Sequence, residues 1–235
     1  MPHRDFDVAS LARYLHISPE QVLRLAERGK IPGRKVAGQW RFSRAEIHHW
    51  LEEKIGAAED DAQLAQLETV VRHPAAGPSE TTFSSLTDLM PLEAIAIPLP
   101  AKTRNSVVSQ MVQLAAGTGL LWDPQTMVEA VLAREAMYPT ALENGVALLH
   151  PRRPMPSILA QPLLCLGITP SGVPFGGPCL TDIFFLICSV DDPGHLRVLT
   201  RLSRVIGRPE VLDALRAAPD AASARQVIQQ AEAEI

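Results

Sequence analysis

Apolar residues return every three or four positions at Val8, Leu11, Ala12 and Leu15, with Asp7 in front as a cap, and this spacing predicts a helix. A short turn at His16-Ile17 follows. Three start signals then stand together: Ser18 as N-cap, Pro19 at the first helical position and Gln21 closing a capping box. Val22 and Leu25 form the inward stripe of this second helix, and Gly29 can end it in the left-handed conformation. The pair reads as a helix-turn-helix. From Ile31 to Phe42 the pattern becomes a two-stranded hairpin, with Ala37-Gly38 at its tip and Val36, Trp40 and Phe42 as packing residues. Ser43 and Glu46 form a second capping box and open a helix with Ile47, Trp50 and Leu51 on one face.

Leu64, Leu67 and Val71 then repeat at helical spacing, which predicts a connecting helix over about residues 57–72. Its narrow stripe suits either a second copy of the chain, as a homodimer reading two half-sites, or the chain's own domain. Residues 73–80 have linker composition. Beyond them helices and apolar strands alternate. Ile95 and Ile97 predict a strand, Lys102 to Ala116 a helix ending near Gly117, and Asp123-Pro124 the start of a helix reaching Arg134. Gly145 to Leu149, Leu163 to Ile168 and Ile183 to Val190 are strand-like, and the last two read as central strands covered on both faces. Arg197 to Ile206 predicts a helix with Leu196, Leu199, Leu202 and Val205 inward, and two short helices follow from Pro209 and Ala221. The expected fold class is α/β with two domains. A small winged helix-turn-helix spans 1–56, a connecting helix and Pro/Gly linker 57–82, and an α/β sandwich with a mixed sheet flanked by helices 83–235.

Charge changes the picture at one end only. Of the 22 Lys+Arg and 26 Asp+Glu, residues 1–56 hold 10 and 7, a net +3, which leaves 12 and 19, a net −7, for the rest. A basic first part on an acidic body fits nucleic-acid binding at that end. The 3 cysteines, Cys165, Cys179 and Cys188, show no C-x-x-C spacing and read as buried small hydrophobes in a reducing cytosol rather than a metal site or disulfide. The longest apolar run, Ile183 to Cys188, is too short to span a bilayer, and no signal-peptide core opens the chain. A soluble, cytoplasmic protein without direct membrane insertion is expected.

The candidate chemistry lies in the second half. His150 ends the run Gly145 to Leu149, Arg134 stands 16 residues before it, and His195 stands 45 residues after. A neutral imidazole is a nucleophile near pH 7, with an unperturbed pKa of about 6.5. A second imidazole and a guanidinium beside it are what a transferring phosphoryl group needs, because catalysis there is mostly positioning and charge stabilisation.

Two resemblances sharpen these readings. The stretch from Asp7 to Leu51, DVASLARYLHISPEQVLRLAERGKIPGRKVAGQWRFSRAEIHHWL, resembles the excisionase type of the MerR-like winged helix-turn-helix family. The resemblance implies a second helix in the major groove and a wing on the backbone or minor groove. Glu20, Gln21, Arg24 and Arg28 would then face the groove, and Arg34, Lys35, Gln39 and Arg41 would touch phosphate or minor groove. Farther on, AVLAREAMYPTALENGVALLH and TDIFFLICSVDDPGHLRVLTRLSRVI resemble the enzyme IIA domain of the fructose/mannitol-type sugar phosphotransferase system and its nitrogen-regulatory relatives, over about residues 83–235. That resemblance implies His150 as acceptor of a phosphoryl group from phosphohistidine HPr, His195 as its partner, Arg134 as a donor to the phosphoryl oxygens, and neither metal nor cofactor.

This chain departs from the family at Ala141 and Glu143, where glycines are usual, and at Leu149, where proline precedes the histidine. These changes are expected to reshape the loop that admits HPr, and Glu143 to add a charge that repels phosphate. The leading expectation is a DNA-binding regulator switched by phosphate on His150. The rivals are a phosphocarrier docked by its first module, with a permease or regulatory protein as acceptor, and an inactive IIA-like domain that binds partners.

Overall fold

The computed structural model describes residues 5–15, 17–56, 83–177 and 179–235. The expected connecting helix at 57–72 and the linker at 73–80 lie outside the described residues. The chain divides into two compact units, Met1–Glu80 and Thr81–Ile235.

The first unit opens with α1 (Val8–Tyr14) and α2 (Pro19–Glu27). Asp7 caps α1 by accepting from the Ser10 N–H, and Ser18 and Gln21 close their capping box on α2, with Gln21 N donating to Ser18 Oγ at 3.2 Å and Ser18 N to Gln21 Oε1 at 2.9 Å. Val22 and Ala26 form the buried stripe of α2, and Leu25 is half-buried at its margin. The hairpin follows as β1 (Arg34–Val36) and β2 (Gln39–Arg41), antiparallel with Lys35 opposite Trp40. Ala37 and Gly38 turn it with φ of 50° and 79°, the doubly left-handed backbone of a tight hairpin turn. α3 (Arg44–Gly56) buries Ile47 and Leu51.

One packing expectation fails here. Val36 is 51% exposed, because a hairpin this short carries it past the edge of the helices. Phe42 takes the core position instead, and its backbone pairs with Phe6 through N–H···O bonds of 2.8 and 2.9 Å. A single bridging residue has no periodicity, so no sequence pattern marks Phe6 as a third strand position.

The second unit begins with two single 3-10 turns, Leu86–Leu89 and Leu92–Ala94, and continues as β3 (Ile95–Ala96), α4 (Arg104–Gly117), α5 (Pro124–Met137), β4 (Val146–Leu149), β5 (Leu163–Val173), β6 (Thr181–Cys188), α6 (Asp192–Ile206), α7 (Pro209–Ala217) and α8 (Ala221–Ala233). The four strands form a mixed sheet in the order β3-β5-β6-β4, with β5 and β6 antiparallel and the two outer pairs parallel. Ala147, Leu149, Phe184 and Leu186 point to one face and share a core with Val107, Met111, Met127 and Val131 of α4 and α5. Val146, Leu148, Ile183 and Phe185 alternate to the other face and are equally buried, and α6 lies against β6 there with Leu196, Leu199, Leu202 and Val205 buried. Each such large apolar side chain stabilises the unit by about 1.5–3 kcal/mol. Two-sided burial is why β5 and β6 read as unbroken apolar runs.

Several boundaries move. β3 stops at Ala96, and Ile97 joins Pro98 through a cis peptide. β5 continues past Ile168 through polar residues, with a register shift before Val173 pairs with Thr181, because strand pairing uses the backbone and not the apolar side chains. Cys165 and Cys188 are buried as expected; burial pushes the Cys188 thiol up to about 12, and burial, with Cys188 beside it, also raises the Cys165 thiol well above its ordinary value. Cys179 is exposed, contrary to expectation, since the connection between β5 and β6 carries it outside the sheet. Among the described residues no helix is long and apolar enough to cross a membrane.

Candidate functional site

Parallel pairing of β4 with β6 brings the two histidines together. Leu149 pairs with Leu186, so both strands deliver their carboxyl ends to the same edge. His150 is the first residue beyond β4. Beyond β6 the chain passes Ser189 and enters α6, which places His195 in the first turn of that helix. Asp191 caps α6 by accepting from Gly194 N at 2.7 Å. The polar first turn Asp192 to His195 has no apolar stripe, which is why the sequence pattern starts this helix too late.

The imidazoles of His150 and His195 lie 5.0 Å apart between ring centroids, tilted by 53°, and the two residues are 3% and 4% exposed. His150 Nδ1 lies 2.8 Å from the Leu148 carbonyl. A carbonyl only accepts, so the proton sits on Nδ1 and the basic lone pair on Nε2. His195 Nδ1 lies 3.1 Å from Ser189 Oγ. The N-terminal end of α6, where backbone N–H groups and the helix dipole favour negative charge, adjoins the pair.

Arg134 is buried at the last turn of α5, where Nη1 donates to the Tyr138 carbonyl at 2.8 Å. The segment it holds runs back antiparallel to β4: Leu142 N donates to Val146 O at 2.7 Å, Ala141 bridges Ala147, and Leu148 N donates to Thr140 O at 3.3 Å. Arg134 is therefore tied to the chain that flanks the strand ending in His150. Glu135 holds the same segment, accepting from Thr140 Oγ1 and from Thr140 N at 3.3 Å. The motif reading missed Glu135, Thr140, Tyr138 and Ser189. The only mark they leave is an acidic residue five positions before a threonine, too common to single out.

This geometry corrects the expectations about the departures from the family pattern. Glu143 sits exposed in the turn before Gly145, at the opposite end of β4 from His150, so its charge faces solvent away from the histidines. Leu149 points into the core. The retained Gly145 adopts φ of +85°, and a Cβ there would lie 2.9 Å from Arg216 Nη2, so the turn keeps the glycine it needs.

Burial holds the Glu135 carboxyl above the usual carboxylate range, against the opposing Thr140 hydrogen bonds and the Arg104 and Arg134 charges. With the folded pKa above the unfolded value, its favourable contribution is complete below about pH 4.5 and is lost as pH rises through the raised value. Glu135→Gln, which keeps an acceptor for Thr140 without charge, is expected to remove that loss. In urea unfolding the variant and parent should match at pH 4 and separate toward pH 7 in favour of the variant. A variant weakened equally at both pH values would contradict this.

In the first unit, Glu20, Arg24 and Arg28 stand exposed on the face of α2 opposite Val22 and Ala26. Gln21 is also exposed, but its side-chain oxygen is engaged by Ser18 N. On the wing, Arg34 pairs with Asp5 at 3.3 Å, the Lys35 ammonium lies 5.3 Å from the Trp40 ring, and Arg41 donates to Gln39 at 3.3 Å. The residues predicted for DNA thus fall on α2 and the hairpin. Among the described residues no group of three or more His, Cys, Asp or Glu is placed to hold a metal ion.

Comparison with known proteins adds to this geometry. Residues 88–231 match the family model of the phosphoenolpyruvate-dependent sugar phosphotransferase system, EIIA 2, and residues 6–55 match a helix-turn-helix domain model. The chain is 27% identical over 132 residues to the fructose-specific EIIABC component of the PTS system of Bacillus subtilis, which is 54% of this chain and 20% of that protein. It is 28% identical over 134 residues to the nitrogen regulatory protein of Pseudomonas aeruginosa, 55% of this chain and 85% of that one. The matched part is thus about a fifth of the Bacillus relative's length. Among solved structures, IIA mannitol from Escherichia coli superposes with a TM-score of 0.53 at 20% identity, over 59% of this chain and 97% of that chain. At that identity the likeness shows a shared fold.

Proposed function

This chain belongs, through residues 88–231, to the phosphoenolpyruvate-dependent sugar phosphotransferase system EIIA 2 family, and from that premise we propose that it is a DNA-binding regulator whose His150 accepts a phosphoryl group from phosphohistidine HPr. The observation that carries the proposal is the pair of buried imidazoles 5.0 Å apart, beside the start of α6, in a chain that also carries a helix-turn-helix.

With its proton on Nδ1, His150 attacks phosphorus through Nε2. The new N–P bond forms as the donor's N–P bond breaks, and the donor imidazole leaves with the electron pair. When Ser189 donates to Nδ1 of His195, the His195 proton lies on Nε2 and can meet a phosphoryl oxygen. Arg134 is the candidate guanidinium for the remaining charge. No step calls for a metal or cofactor. DNA is read through Arg24 and Arg28, with Glu20 and Gln21 beside them on α2, and through Arg34, Lys35, Gln39 and Arg41 of the hairpin. Phosphorylation changes affinity through α6. Phe83, the first described residue after the connection, lies 5.7 Å from the Arg197 guanidinium and 5.6 Å from that of Arg201, and Arg201 Nη1 also donates to Ser84 O at 2.6 Å. Both arginines share α6 with His195, so a charge at the histidines acts on the helix that holds Phe83 and Ser84.

The test uses the full chain with enzyme I, HPr and phosphoenolpyruvate, and a duplex selected on the unphosphorylated chain from a random pool. An acid-labile label on His150 and a shift in duplex affinity of about 5-fold or more are expected. No label, or equal affinity in both states, overturns the proposal.

A further inference from the structure

The rim around His150 carries an unusual set of side chains. The backbone bends just past the histidine, and Arg152 and Arg153 are both exposed there. Neither guanidinium is in an ion pair with a described residue, although residues 57–235 carry a net −7. On the other side, the partners Leu142 with Val146, Ala141 with Ala147 and Thr140 with Leu148 define an antiparallel register. Tyr138 stands two residues before Thr140, whose carbonyl accepts from Leu148 N, two residues before His150. Tyr138 is 70% exposed and its neighbour Met137 59%. The Tyr138 backbone is held by Arg134, and Thr140 by Glu135, so this edge is fixed while its large side chains lie bare. The carboxylates nearest in sequence to His195 are Asp191, engaged in capping α6, and Asp192 in its first turn. Glu143 lies at the far end of β4.

We propose that Tyr138, Met137, Arg152 and Arg153 form the docking face for a phosphohistidine carrier protein whose own rim is acidic, with the two arginines selecting it by charge. The inference rests on the phosphoryl-acceptor reading of His150 and names the class of donor. Exposed aromatic, thioether and arginine side chains together are the composition of a protein interface centre. Unpaired cations at the edge act mainly on encounter rate, and they reject a basic partner by like-charge repulsion.

The experiment measures the second-order rate of phosphoryl transfer to the full chain from two phosphorylated HPr proteins, one with an acidic and one with a basic rim. The parent should prefer the acidic donor at low salt. Arg152→Glu/Arg153→Glu should slow that donor about 10-fold or more and speed the basic one, with the difference shrinking at high salt. Arg152→Gln/Arg153→Gln should fall between. Phosphoramidate, a donor without a rim, separates the failures. If it labels His150 of the parent while donor preference does not follow the charge changes, the docking assignment falls alone. If neither phosphoramidate nor any carrier labels His150, the acceptor reading falls and this one with it. Loss of duplex binding in the glutamate variant, with transfer rates unchanged, would assign the arginines to nucleic acid and overturn the proposal.

Discussion

His150→Ala is expected to abolish phosphoryl acceptance outright, leaving no acid-labile label after treatment with enzyme I, HPr and phosphoenolpyruvate. The reason is that the two imidazoles are not equivalent. The Leu148 carbonyl 2.8 Å from Nδ1 of His150 leaves Nε2 as the lone-pair nitrogen. His195 meets the Ser189 hydroxyl at Nδ1, and a hydroxyl that donates there leaves the His195 proton on Nε2, with no lone pair on that nitrogen for the attack. The same substitution should freeze duplex affinity at its unphosphorylated value. Circular dichroism of the variant checks that the sheet is intact. A stoichiometric label on the variant, at any residue, would remove His150 from the proposed role.

His195→Ala should leave the label on His150 and slow its appearance by about 100-fold or more, the usual loss when one preorganised donor to a transferring group is removed. Ring centroids 5.0 Å apart leave room for a phosphoryl group on one imidazole to meet the N–H of the other. The loss should lie in the rate of transfer and not in the final stoichiometry, so single-turnover quench-flow separates it from misfolding, which lowers stoichiometry. An unchanged rate would reduce His195 to a packing residue on α6.

Much of this molecule is legible before any coordinates. Helix starts were marked by side chains that satisfy free backbone N–H groups, as at Asp7, Ser18 and Asp123, and all three cap in the structure. The central strands were marked by continuous apolar runs, because both of their faces are covered. Illegible elements share a different cause. Phe6 meets Phe42 through a single backbone bridge, β5 runs on from Ile168 through polar residues until Val173 pairs with Thr181, and the first turn of α6 has no apolar stripe. In each case backbone hydrogen bonding, and not a repeating apolar pattern, defines the element, and backbone groups are the same in every residue.

The sequence by itself determined the α/β class, the helix-turn-helix followed by a IIA-type domain, and the basic character of the first part, since these depend on local spacing and composition. Only the tertiary structure decided that Glu143 lies at the opposite end of β4 from His150, that Leu149 belongs to the core, and that β4 and β6 bring His150 and His195 together. Those facts depend on strand register. Moving one residue along a strand turns its side chain to the other face, and moving four carries it the length of β4, distances that no local pattern encodes.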